Sequence, residues 1–458
     1  MLNSQMDGAS MSQSTRLPYQ FPTPAGVPLE AAFDGGRLTS DGGLPWLAAA
    51  DTALGLCERL AACIPEWRRG PVQHQLADLV RQRVFGLACG YADQNDADTL
   101  RHDPLLKLVC GRLPDSGAPL ASQPTLSRLE NACDRHTAER LAAALVAQYL
   151  AARGQHGRPP RILLDLDGTD DPAHGEQEGV RYHAYYRQHM YHPLLVFDGD
   201  TGQLITAVLR PGNVHGSRFV VLVLRRLLKR LRQQWPDIAV ELRADSGFAV
   251  PRLYAWCEQQ GVSYTIGLIP NPALERIAAP LLVEAQAQSV AADGAKVRLA
   301  GETTYQAGSW PQARRVVYKA EVLIKGPNTR FVVTTRRDPP LALYDFYVDR
   351  GQAENYIKDF KNALACDRLS DHRFFANQFR LLLCAAAYQL LHTLRGWLAG
   401  SEAALLQFDT LRLRLLKVAG RVRELAGRVR LALASSHPGE PLWQHLATRL
   451  SRLMNNPG

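Results

Sequence analysis

Between residues 156 and 269 short apolar runs alternate with amphipathic helices, and that alternation restricts the segment to a sheet covered by helices. Pro159 and Pro160 break the preceding texture, and Ile162 to Asp167 then reads as a strand. The stretches VRYHAYYRQHMYHPLLVFD and QLITAVLRPG follow, joined by Asp198, Gly199, Asp200, Thr201 and Gly202, which is hairpin-turn chemistry. A helix over Ser217–Gln234 carries Arg225, Arg226, Lys229, Arg230 and Arg232 opposite its apolar face. A strand over Ile238–Asp245, a helix over Val250–Gln260 and the strand VSYTIGLI complete the series. The expected class is α/β, with a mixed sheet and flanking helices.

The flanking regions read differently. Residues 1–25 have the composition of a loose tail, and residues 26–155 read as a helical module. Its helices are expected over Asp41–Leu60, Gln73–Tyr91, Thr125–Glu130 and His136–Arg153, with Pro124 beside Ser122 at one helix start. Arg81, Arg83, Arg101 and Arg128 would let this module bind DNA, and a helical domain with a merely basic surface has equal weight. Residues 270–340 hold KVRLAGETTYQAG, RRVVYKAEVLI and TRFVVTTR, three antiparallel strands of a β-rich insertion. Residues 341–400 return to helix, including an apolar one over Asn377–Leu398. In the basic region 401–458, GRVRELAGRVRLALA alternates as a short hairpin does.

A chain of 458 residues has the length for two or three domains with a real core. With 53 Lys and Arg against 44 Asp and Glu, the net charge of +9 favours a polyanionic partner such as nucleic acid. None of the eight cysteines forms a CxxC pair, so buried free thiols are expected and a structural zinc is not. No apolar run is long enough to cross a bilayer and the first 18 residues lack a secretory core, so a cytoplasmic protein is expected.

The chemistry concentrates on one helix. Tyr347, Arg350, Glu354, Lys358 and Lys361 fall within a stripe roughly 80° wide at 100° per residue. Phe346, Ala353, Ile357, Phe360 and Leu364 form a second, apolar stripe that would dock on a core. One carboxylate among guanidinium and ammonium groups suits a metal-bound phosphate, although i,i+4 pairing on a solvated face explains the same pattern. Asp165 and Asp167 end one strand and Asp245 ends another, where α/β sheets place their chemistry. With Glu354 they would surround one or two divalent ions able to activate an attacking oxygen on a phosphodiester. No nucleophile elbow and no Gly-rich phosphate loop competes.

Tyr347, Arg350, Glu354 and Lys361 follow the spacing Tyr, two residues, Arg, three residues, Glu, six residues, Lys. With DLDGT at Asp167 and RADSGF at Asp245, the chain resembles the DDE transposases of bacterial insertion sequences, in their YREK-signature group. VFGLACGYADQNDADTLRHDP and LASQPTLSRLEN are similar to the N-terminal module of one branch of that group. The resemblance implies a ribonuclease H-like catalytic domain with a β insertion before the last acid. It implies Mg²⁺-dependent cleavage at terminal inverted repeats, with Mn²⁺ able to substitute, and transfer of the 3′ ends into double-stranded target DNA. Asp167, Asp245 and Glu354 would be catalytic and hold two metal ions, while Tyr347, Arg350, Lys358 and Lys361 would hold DNA. Asp167 is preferred over Asp165 because Gly168 and Thr169 follow it; Asp165 would support it. Trp310, the one Trp of the insertion, would stack a flipped base, with a packed indole as the alternative.

His183, His189 and His192 have no common zinc spacing and read as hairpin side chains, with Tyr185, Tyr186 and Arg187 free to touch DNA. A homodimer on DNA, associated with the nucleoid, is expected. The competing functions are a non-catalytic DNA-binding protein derived from a transposase and a metal-dependent nuclease without strand transfer.

Overall fold

The computed structural model describes residues 18–455 except 156, 174 and 325. Most of the expected N-terminal tail, residues 1–17, lies outside the described residues. Just after it, Tyr19–Phe21 pairs antiparallel with Leu29–Ala31, so the end of the expected tail is a small hairpin.

The centre is an eight-stranded sheet. Its strands are β1 (Arg161–Gly168), β2 (Leu194–Asp198), β3 (Leu204–Val208), β4 (Ala239–Ala244), β5 (Ser263–Leu268), β6 (Val297–Tyr305), β7 (Arg314–Leu323) and β8 (Gly326–Thr334). Their order is β6-β7-β8-β5-β4-β1-β2-β3. Strands β1, β4 and β5 run parallel, and every other pairing is antiparallel. The helices used below are α1 (Arg135–Gly154), α2 (Val220–Gln234), α3 (Pro251–Gln260), α4 (Pro272–Ala291), α5 (Pro340–Val348), α6 (Gln352–Lys358) and α7 (Phe374–Trp397). This is the mixed sheet with flanking helices expected of a ribonuclease H-like domain.

The β2–β3 turn is built as its residues require. Asp198 is fully buried and accepts from the backbone N–H of Asp200 and Thr201, the Tyr149 hydroxyl at 2.7 Å and Arg153 Nε at 3.0 Å. The long segment before it divides into a small hairpin, Arg181–His183 against Gln188–Tyr191, and strand β2.

Two features of residues 270–340 differ from expectation. Their first part is the 20-residue helix α4, capped by the Asn271 side chain on the N–H groups of Ala273 and Leu274. Pro280 inside it masks the helical signal, because an interior proline usually ends a helix. The three strands then extend the central sheet, with Thr265 opposite Thr334 and Ile266 opposite Val333. Val316, Phe331 and Val333 share one core with Tyr264 and Ile266, while Val317 and Val332 on the other face form a small separate cluster with Leu343 and Tyr344 of α5.

The helix carrying the charged stripe is also not uniform. α5 tightens into a 3-10 turn at Asp349–Gly351, resumes as α6, and widens into a π segment at Asp359–Ala363. Buried Asp359 accepts from the Phe408 N–H and from Arg395 at 2.8 Å each, so a third side of this helix is buried as well.

α7 is apolar almost all round because it lies between the sheet and the N-terminal helices. Leu79, Phe85, Leu129 and Leu145 pack with Leu382, Ala386 and Leu390 in one core. Gln378 and Gln389 on α7 bond the backbone of the edge strand at Leu209, Ala207 and Leu204, which satisfies groups that burial would orphan. The helix expected over Asp41–Leu60 is two, Leu44–Leu54 and Leu56–Ala61, because Gly55 turns left-handed at φ 59° and closes on the Asp51 carbonyl. All eight cysteines are free, and all but half-buried Cys63 are buried. No helix of the described residues is long and apolar enough to cross a membrane.

Candidate active site

β1 and β4 are neighbouring parallel strands with Leu166 opposite Ala244. The next residues, Asp167 and Asp245, therefore emerge side by side at the carboxyl edge of the sheet. Asp167 Oδ1 accepts from the Gly168 N–H at 2.8 Å and its Oδ2 from Arg350 Nη1 at 3.1 Å. Burial pushes the Asp167 carboxyl up to about 6 against the pull of Arg350, and Asp245 adds to the rise. Asp245 Oδ1 accepts from the Gly247 N–H at 2.8 Å, which caps a 3-10 turn.

Above this pair stands the 3-10 turn with Tyr347 just before it. An added Cβ at Gly267 would lie 2.4 Å from the Tyr347 hydroxyl and 3.1 Å from the Ser246 nitrogen. Glycine in β5 thus leaves the space that lets the phenol reach the Asp245 loop. Burial pushes the Tyr347 phenol up, with Arg350 opposing and Asp245 assisting. Burial works against the Arg350 charge, but Asp167, Tyr347 and Asp245 hold the guanidinium above its ordinary value.

Lys361 reaches the same side one segment later. Its Nζ bonds the Asp170 carbonyl at 3.0 Å and Oδ1 at 2.9 Å, with Asp367 at 3.6 Å. Lys358 is exposed. Glu354 is also exposed and makes no hydrogen bond or ion pair among the described residues. Among those residues no three His, Cys, Asp or Glu side chains are close enough together to hold a metal. The structure therefore brings together Asp167, Asp245, Tyr347 and Arg350, and Glu354 completes no three-acid group with the two aspartates among the described residues. The donor set still suits a hard cation: two adjacent carboxylates, one of which already faces a positive group in Arg350.

Asp165 has a different place. It is fully buried and takes Arg243 Nε and Nη2 on its two oxygens, both at 2.7 Å. Arg243 Nη1 then donates to the Phe346 carbonyl at 2.8 Å, and its guanidinium lies 4.9 Å from the Phe346 ring centre. Arg336 covers the same ring at 4.1 Å. Phe346 is thus held by guanidinium groups, whereas the sequence placed it on the apolar stripe. Arg243 received no role from sequence reasoning, although an arginine inside a central parallel strand requires a buried carboxylate nearby. Gly199 fits tightly over the pair, since a Cβ there would lie 2.6 Å from Asp165 Oδ2.

Other expectations are corrected. Trp310 is buried, edge-on to Tyr254 at 5.4 Å and Tyr305 at 5.6 Å, with Arg314 over the ring at 5.6 Å. An indole enclosed on these sides packs into the main core from the loop between β6 and β7, which is the packed-indole alternative. Arg83 is buried against Glu130, and Arg81 is paired with Asp51 and Glu58, so neither is free for phosphate. The small hairpin keeps its expected character: His183 packs on Tyr186 and His192, while Tyr185 is exposed. Tyr186 lies close enough for Asp170, Asp167 and Asp245 to raise its phenol, after burial, to about 12.

No curated protein matches the chain. Among solved structures, a piggyBac transposase synaptic complex with hairpin DNA is similar at a TM-score of 0.45 and 11% identity, over 92% of this chain and 83% of that one. A family model described as transposase DDE domain group 1 matches residues 21–455, and the chain belongs to that family.

Proposed function

We propose that this transposase-family chain cuts DNA at the terminal inverted repeats of an insertion sequence and joins the 3′ ends to target DNA. The observation that carries this reading is the side-by-side placement of Asp167 and Asp245 beneath Tyr347 and Arg350. Asp167 and Asp245 would hold divalent metal, with Glu354 as the third acid. Two Mg²⁺ ions, when bound, would supply Lewis-acid activation of the attacking oxygen and charge neutralisation at the leaving oxygen.

The chain's own side chains do the remaining work. Arg350 and Lys361 exchange Asp167 and Asp170 for phosphate oxygens, a charge-for-charge replacement that keeps each cation paired. Tyr347 supplies a hydroxyl donor beside the Asp245 loop, and Lys358 adds a mobile charge on the exposed side. Pairing two element ends would require at least two copies of the chain on DNA.

The test is cleavage of a labelled duplex carrying the DNA that flanks this gene, with Mg²⁺ or EDTA, for wild type and Asp245→Asn. Metal-dependent nicking at the repeat ends, absent in the variant, is the expected result. Tight binding without cutting in any metal would overturn the reading in favour of a DNA-binding protein. Nicking without joined products would leave a nuclease.

A further inference from the structure

Several arginines of the N-terminal module are neutralised: Arg81 by Asp51 and Glu58, Arg83 by Glu130, Arg68 by Glu66. Arg59, Arg101 and Arg128 pair with no acid among the described residues, but they lie on three separate segments. The arginines of the C-terminal hairpin are both unpaired and gathered on one element. Strand Gly420–Leu425 pairs antiparallel with Arg428–Leu433, and Arg421, Arg423, Arg428 and Arg430 are all exposed. None of the four makes a side-chain hydrogen bond or ion pair among the described residues.

Register places all four on one face. Arg423 stands directly opposite Arg430, Arg421 opposite Ala432, and Leu425 opposite Arg428. Alternation turns Val422, Glu424, Val429 and Leu431 to the other side. Val422 is buried, and Val429 and Leu431 pack against the main core. Glu424 accepts from the N–H groups of Asp115 and Ser116 and from the Ser116 hydroxyl at 2.6 Å. Leu38–Thr39 adds a third strand on the inner edge. The ribbon is therefore fixed on the helical module by one face and presents guanidinium groups on the other.

Like charges directly opposite on paired strands repel. Among the described residues nothing compensates Arg423 and Arg430, so the arrangement has a cost that an external polyanion would remove. A two-stranded ribbon matches the width of the DNA major groove, and arginines spaced about 7 Å along a strand can reach successive phosphates or guanine edges.

We infer that the Gly420–Leu433 ribbon is a DNA-docking element that engages double-stranded DNA through Arg421, Arg423, Arg428 and Arg430. This rests on the transposase reading for the identity of the polyanion as DNA. It assigns duplex engagement to the C-terminal hairpin, whereas the sequence named the N-terminal helices as a candidate.

The test uses the full chain and the same flanking duplex, in EDTA so that no cutting intervenes. Affinity is measured from 50 to 300 mM salt for wild type and Arg423→Gln/Arg430→Gln. A control, Arg225→Gln/Lys229→Gln, removes the same charge from helix α2. Each lost phosphate contact lowers the slope of log affinity against log salt by about 0.9, so the ribbon variant should lose about 2. Its circular dichroism should match wild type and its melting temperature should be equal or slightly higher, since the two side chains bond nothing and repel each other. A wild-type slope in the ribbon variant, an equal loss in the control, or tighter binding to duplex RNA than to DNA would each overturn the inference. A slope loss in a protein that never cuts DNA would leave the ribbon standing and remove the catalytic reading. Cutting with an unchanged slope would do the reverse.

Discussion

Arg350 donates from Nη1 to Asp167 Oδ2 at 3.1 Å, across 183 residues of sequence, so one ion pair ties the 3-10 turn after α5 to strand β1. In the strand-cleaving reading this pair joins a group meant for DNA to a group meant for metal. Arg350→Gln should therefore free Asp167 and let the DNA-free protein bind Mn²⁺ several-fold tighter, read by electron paramagnetic resonance. The same variant should cut DNA about 10–100-fold more slowly, because a charge-assisted contact of roughly 1.5–3 kcal/mol is lost. Unchanged metal affinity would show that Arg350 does not compete for the carboxylate.

Asp165 and Asp167 sit two residues apart on one strand and pair with different arginines, Arg243 and Arg350. Asp165→Ala leaves Arg243 buried without a partner and should cost about 3–5 kcal/mol in a urea titration. Asp167→Asn should change stability by less than about 1 kcal/mol and abolish metal-dependent cutting. Equal losses of stability in the two variants would refute this division.

The close approach of Gly267 and Tyr347 makes a double-mutant cycle. Gly267→Ala should destabilise by about 1–3 kcal/mol, since its Cβ would meet the Tyr347 hydroxyl at 2.4 Å. Tyr347→Phe removes that oxygen, so the double variant should recover part of the loss. Strict additivity of the two melting-temperature shifts would place the phenol elsewhere.

Asp171 is buried, and neither carboxylate oxygen has a hydrogen-bond partner among the described residues. Burial pushes its carboxyl up from 3.8 to about 8, with Asp367 adding to the rise. The folded chain keeps this proton through a range in which the unfolded chain loses it. Stability from this group is thus full below 3.8 and declines as pH rises toward 8. Asp171→Asn should flatten that decline and stabilise the protein by roughly 1–3 kcal/mol at the alkaline end. Parallel stability curves for variant and wild type from acid to alkaline pH would contradict the assignment.

Much of this was legible in one dimension. Periodicity located the strands ending at Asp167 and Asp245, the β2–β3 turn, the apolar helix α7 and the basic C-terminal hairpin, because each depends on local spacing. The helix at 272–291 was hidden by Pro280, and the break at Gly55 by an otherwise continuous apolar pattern. A helical wheel at a fixed 100° joined Tyr347 to Lys361, but the 3-10 turn and the π segment change the phase between them.

The amino-acid sequence by itself determined the α/β class, the family motifs and the excess of positive charge, all of which are properties of residue type and spacing. Tertiary structure alone decided which charges are spent. It sent Asp165 to Arg243, Arg83 to Glu130 and Trp310 into the core, and it left Asp167 beside Asp245 and four hairpin arginines in solvent. The physical reason is that a charge is neutralised by whatever group lies within a few ångströms after folding, and that neighbour comes from strands and helices far away in the chain.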